Sequence, residues 1–184
     1  VAGWGVLFLQ KARGFDLAEA SQVIAFSAVF GILGTVLAGW LSDRMFNGDR
    51  VKPAVLSGII STSSLILFLF VGGGFVLNIF YVSLFSLSTG ILYCIVAGLM
   101  AVDIVPRKAT GAALGVVGIS SYVAAGLQDI ASGYLIQGFV VEGAGGSLYD
   151  FGPVSRFWVI AAVISFVLPV LNWKKMQSDT PSEK

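Results

Sequence analysis

Few residues of this chain are equipped for chemistry, and their placement limits what that chemistry is. Histidine is absent and the single cysteine, Cys94, lies inside an apolar run. A disulfide within the chain is therefore excluded, and no His-based or Cys-rich metal site is expected. No nucleophile elbow, phosphate-binding glycine loop or metal-ligand spacing occurs, so neither catalysis nor a cofactor is expected. Asp129 is the one carboxylate well inside an apolar run. A charge there faces a cavity or a partner; its plainer role is a mouth residue hydrogen-bonded to a neighbouring helix, with a gate or coupling-ion role and snorkelling at the lipid edge as the alternatives. Tyr122, flanked by Ser120 and Ser121, and Tyr93 in the preceding apolar run offer hydroxyls to a polar solute. Packing is the plainer reading for both tyrosines.

Most of the remaining charge is gathered in turns. Gly39 to Arg50 reads G-W-L-S-D-R-M-F-N-G-D-R, between an uncharged run from Val23 to Trp40 and a chargeless stretch from Pro53 to Val102. A charged cluster between two apolar runs marks a loop where the chain leaves a membrane and re-enters it. Arg44, Arg50 and Lys52 place it on the cytoplasmic side by the positive-inside rule. Gly48, lacking a Cβ, suits a tight turn. Asp103 to Gly111 is a second such turn, with Arg107 and Lys108; Pro106 fits the first turn of the helix that follows.

These turns need spanning helices to hold them. Apolar residues make up 57% of the 184 and charged ones 11%, with mean hydropathy +0.91, against about 25% charged in soluble domains. Membrane lipid is the expected partner and nucleic acid is not; the net charge of +1 says nothing about the latter. At about 20 residues per span, residues 17–42, 52–71, 75–102, 106–139 and 157–173 are read as crossings, and residues 1–10 as the end of a helix begun upstream. Asp16 or Ser21 can cap the first full span. Its Ser27, Gly31, Gly34 and Ala38 share one face, as close packing requires. Ser83, Ser86, Gly90 and Tyr93 share a face of the third. On the fourth, Gly111, Gly115, Gly118, Tyr122, Gly126, Asp129 and Gly133 form an inward side opposite Val116, Ile119, Val123, Leu127, Ile130 and Tyr134. Measured from Gly111, Asp129 lies roughly 27 Å along that helix, near the outer mouth. Gly143 to Pro153 is expected as a flexible outer loop and residues 174–184 as a disordered polar tail. Eight cations (Arg44, Arg50, Lys52, Arg107, Lys108, Lys174, Lys175, Lys184) fall on one side and three (Lys11, Arg13, Arg156) on the other, which agrees with a cytoplasmic C-terminus.

The Gly39–Arg50 stretch resembles the signature loop of the major facilitator superfamily: a glycine, Asp-Arg, then a glycine and a terminal basic residue. The match rests on Gly39, Asp43, Arg44, Gly48 and Arg50. The resemblance implies an all-α membrane protein with twelve helices in two halves about a central pathway. It places this chain at the end of helix 7 through helix 12, a six-helix C-terminal bundle with a truncated first helix and an N-terminal half elsewhere in the protein. It also implies that Asp43 meets a helix N-terminus of the other half, where the dipole favours an anion.

Two stretches narrow the likeness. W-G-V-L-F-L-Q-K-A-R-G-F, from Trp4, and A-V-D-I-V-P-R-K-A-T-G-A-A-L-G-V-V-G-I-S-S-Y, from Ala101, resemble the organophosphate–phosphate antiporters. Similar motifs occur in membrane sensors of hexose phosphate and in eukaryotic glucose-6-phosphate exchangers. A small anionic solute follows from the resemblance, and Tyr122 matches a pore-facing tyrosine of the glycerol-3-phosphate carriers. The sequence departs from the hexose-phosphate carriers at Leu114 and Val117, where those have an acid and a lysine. Their anion-binding arginines belong to segments outside this chain. The resemblance implies a secondary transporter in a bacterial inner membrane; a non-transporting sensor and a proton-coupled symporter for another solute are the alternatives.

Overall fold

The computed structural model describes residues 3–103, 105–143 and 146–179. It is an all-α membrane bundle with one small hairpin. The helices are α1 (Gly5–Arg13), α2 (Leu17–Trp40), α3 (Val51–Ile66), α4 (Phe75–Tyr93), the short α5 (Ala101–Asp103), α6 (Thr110–Gly138) and α7 (Gly152–Asp179). Three of the long helices end in a wider π-helical stretch: α2 in Leu41–Met45, α3 in Leu67–Val71 and α4 in Cys94–Met100. Taken with these extensions, Leu17–Met45, Val51–Val71, Phe75–Asp103 and Arg107–Gly138 are each long and apolar enough to cross a membrane.

Local chemistry sets the ends. Gly14, at φ 72°, terminates α1, and Phe15 N–H bonds back to the Leu9 carbonyl at 3.2 Å. Asp16, not Ser21, caps α2: its Oδ1 accepts from Glu19 N–H at 2.6 Å while Glu19 Oε2 accepts from Asp16 N–H at 3.4 Å, a reciprocal capping box. The α2–α3 turn passes through Asn47 at φ 51° and Gly48 at φ 82°, so the left-handed conformation anticipated at Gly48 is present. On the opposite end, Gly72 and Gly73 also take positive φ. There the Arg13 guanidinium donates to the Phe68 and Leu69 carbonyls at 3.1 and 3.0 Å. It satisfies acceptors that the last turn of α3 leaves open.

Several boundaries differ from the periodicity. The helix end read over residues 1–10 continues in α1 through Arg13. Part of the expected flexible outer loop, Gly146–Tyr149, instead pairs with Val140–Gly143 as an antiparallel hairpin, because β-branched and aromatic residues flank a glycine-rich stretch. The last helix begins at Gly152 and runs past residue 173 to Asp179, so the expected disordered tail is helical that far. Its cations do not stop it, since lysine is a good helix former. Residues 180–184 lie outside the described residues.

Packing is tightest between α2 and α4. A Cβ on Gly34 would run into the Leu87 carbonyl, and one on Gly90 into the Gly31 carbonyl. The small residues read along α2 are thus where two backbones touch. Near the Gly72 end, Phe8 sits at the centre of an aromatic cluster, with ring centroids 5.4 Å from Phe68, 5.3 Å from Phe151 and 6.5 Å from Trp158. A smaller core at the other end holds Ala38, Ala54, Ile91, Ile95 and Met100.

Candidate functional site: a charged latch beneath a groove

Arg50 is the centre of the charge cluster. Its Nη1 donates to Asp43 Oδ1 at 2.6 Å and to Ser42 Oγ at 2.8 Å, and its Nε to Asp103 Oδ2 at 3.4 Å. One guanidinium therefore ties the ends of α2 and α4 to the start of α3. Partial burial opposes the charge on Arg50, but the hydrogen bonds it donates to the two carboxylates outweigh it and push its pKa up. Asp49 organises the same turn: its Oδ1 accepts from Val51 and Lys52 N–H, at 2.9 and 3.3 Å, and Lys52 Nζ lies 3.1 Å from its Oδ2. Desolvation works against ionisation of Asp49, yet the bonds from Lys52 and Val51 prevail and hold its pKa below the usual carboxylate range.

Other members of the signature behave differently. Arg44 is exposed and has no hydrogen-bond partner among the described residues. Gly39 has open space where a Cβ would project. In the second turn Pro106 precedes a 3-10 turn, its carbonyl accepting from Ala109 N–H at 2.8 Å. Arg107, Lys108 and Gly111 are exposed.

A groove lies between α2, α4 and α6. Thr35, Tyr93 and Cys94 face Leu114, Val117 and Gly118 across a cavity of about 340 Å³. An adjoining hollow of about 300 Å³ shares Thr35 and Tyr93 and adds Ser27, Ser86 and Thr89. Of the four polar positions read along α4, Ser86, Gly90 and Tyr93 line this groove, whereas Ser83 is packed among Phe26, Phe30 and Phe80 on another side. Leu114 and Val117 make the α6 wall apolar.

The structure separates the remaining candidates. Tyr122 is 82% exposed on α6 and lines neither hollow. Ser121 turns its hydroxyl onto the Val117 carbonyl at 2.7 Å. Asp129 is exposed, with Gly3 beside its carboxylate and no hydrogen-bond partner among the described residues. Of the side read as inward, Gly118 at the groove and Gly133 beside the Trp4 ring are partly covered by the described residues, and the opposite side is exposed; other packed positions of α6 include Val117, Ser121, Ser132 and Ile136. There Trp158 Nε1 donates to Ser132 Oγ at 2.9 Å, which in turn donates to the Gln128 carbonyl at 2.7 Å.

Sequence reading missed the reach of Arg50 to Asp103, the cap by Asp49, and the Trp158–Ser132 bond. A signal existed for the first: Asp103 ends an apolar run on the same membrane side as Arg50.

Known proteins resemble this chain in sequence. The chain is similar to a glycerol-3-phosphate transporter of Bacillus subtilis (strain 168), 33% identical over 175 residues, 94% of this chain and 37% of that protein. It is similar to the membrane sensor protein UhpC of Escherichia coli (strain K12), 27% identical over 98% of this chain and 38% of the relative. A phosphoglycerate transporter protein of Salmonella typhimurium is 29% identical over 65% of this chain and 26% of its own length. The chain thus spans less than two-fifths of the length of each. Residues 1–128 match the Major Facilitator Superfamily, and the chain belongs to that superfamily.

Proposed function

We propose that the chain is the C-terminal bundle, from the end of helix 7 through helix 12, of a secondary transporter in a bacterial inner membrane. It exchanges organic phosphates of the sugar-phosphate or glycerol-phosphate type, or related organic anions, by alternating access. The Gly39–Arg50 and Asp103–Gly111 turns and the C-terminus face the cytoplasm. The observation that carries the reading is the combination of alignment over 94% of this chain to a glycerol-3-phosphate transporter with a groove of about 340 Å³ on the same helices that carry the Arg50 cluster. That volume suits a small solute. Thr35 and Tyr93 supply hydroxyls to it, while the cations among the described residues lie toward the ends of the helices. The solute's negative charge is accordingly met by the other half of the protein and its neutral part by this half.

Uptake of labelled inorganic phosphate and glycerol 3-phosphate into liposomes holding the full-length protein tests the reading. Saturable exchange of one for the other is expected; no uptake of either, from protein that binds them, would overturn it. A sensor is the second reading, favoured by the UhpC alignment over 98% of the chain. Binding without exchange would select it.

A further inference from the structure

The π-helical stretch Cys94–Met100 does two things at once. Its first residues, Cys94, Ala97 and Gly98, wall the groove opposite Leu114 and Val117. Its end is followed, within three residues, by Asp103, the carboxylate that Arg50 holds at 3.4 Å. A stretch of seven residues is longer than the single-turn bulges in which π geometry mostly occurs. A side chain at Gly98 would meet nothing within 4 Å among the described residues, so the helix has room to turn at that position. Past it, Ala101 N–H reaches back to the Gly98 carbonyl, a tighter three-residue spacing. On the facing side the Ser42–Asp43 segment lies within another π stretch, Leu41–Met45.

A π turn takes in about one residue more than an α turn, so rewinding one as α rotates everything beyond it by about 100°. We propose that Cys94–Met100 is a register switch that couples the groove to the latch. In the π form Asp103 points at Arg50. Rewound as α, the same residues carry Asp103 off the guanidinium and turn the groove wall. A solute between Tyr93 and Leu114 touches this stretch directly, and its differential contact with the two forms biases the switch. The hold of Arg50 on Asp103 is one long bond to a half-exposed carboxylate, weak enough to be released on each cycle. The role in transport rests on the function proposed above; the two helical forms do not.

The test uses the full-length protein with spin labels at Asn47, in the α2–α3 turn, and at Val102, beside Asp103. Given a helix diameter of about 10–12 Å, a 100° rotation moves the second label by about 8 Å. Two label-to-label distances are expected, with populations that respond to inorganic phosphate or glycerol 3-phosphate. Deleting Ala97 removes the extra residue. It should leave an α-helix with Asp103 still aimed at Arg50, one distance only, and no exchange. Asp103→Asn keeps chain length and should enlarge the rotated population by about two- to fivefold; it carries the test should the deletion not fold. A single distance in the native protein that Asp103→Asn leaves unchanged overturns the switch, as does native-rate exchange by the deletion variant. Two responsive distances without exchange of either solute would retain the switch and reject the transporter.

Discussion

Arg50 Nη1 lies 2.6 Å from Asp43 Oδ1, so the aspartate of the signature loop is held by the arginine that ends it, seven residues on. The neighbouring Arg44 has no part in this pairing among the described residues. Asp43 is 67% exposed and Arg50 20%; an exposed pair contributes roughly 0–1 kcal/mol. Asp43→Asn should therefore shift the ratio of conformations by at most about fivefold. Arg50→Gln frees both carboxylates and the Ser42 hydroxyl, and should cost ~1–2 kcal/mol, a shift of about five- to thirtyfold. Arg44→Gln should change nothing. Thiol accessibility of groove positions from the Arg50 side measures all three, and an effect of Arg44→Gln equal to that of Arg50→Gln would contradict the pairing.

The α2–α4 crossing has no room for side chains at two glycines. Gly34→Val and Gly90→Val should each destabilise the bundle by about 1–3 kcal/mol or more, since overpacking forces the backbones apart. Gly39→Ala, where the space is open, should be tolerated to within about 0.5 kcal/mol. Thermal unfolding in detergent separates these cases.

Trp158 and Ser132 join α7 to α6 through a buried bond. Ser132→Ala orphans the indole N–H and should cost about 1–3 kcal/mol. With Trp158→Phe already present that penalty should largely vanish. A double-mutant cycle reads the difference, and simple additivity would show that the bond is not the coupling.

Asp49 sets the acid limit of the α2–α3 turn. Its folded-state pKa is depressed, so its stabilisation is complete above the unfolded value of about 3.9 and is lost as pH falls through the lower folded value. Melting temperature should fall below about pH 4 in the native protein. Asp49→Asn should lack that component of the fall and start from a lower value at neutral pH.

Orientation is open to labelling. With Cys94 replaced, single cysteines at Gly48 and Lys108 should resist an impermeant thiol reagent in intact cells, whereas one at Gly73 should react. Reaction at Gly48 before Gly73 would reverse the assignment.

Much of this bundle is written along the chain. Composition and runs of about twenty apolar residues determine that it spans a membrane, because no water is available there to satisfy a broken backbone. The charged turns, the positive φ at Gly48, and the small-residue face from Ser27 to Ala38 follow from local chemistry. The wider π turns did not, because they carry no residue signature of their own; they shift register beyond Leu41 and Cys94 without changing hydropathy. Tertiary structure decided that Arg50 holds Asp103 besides Asp43, since Asp103 is 53 residues away and reaches it because α2 and α4 pack backbone to backbone. It also decided that Tyr93 lines the groove and Tyr122 does not. Both sit on helices of suitable period, but a side chain's neighbours depend on how its helix is rotated, and that is set by the helices it packs against.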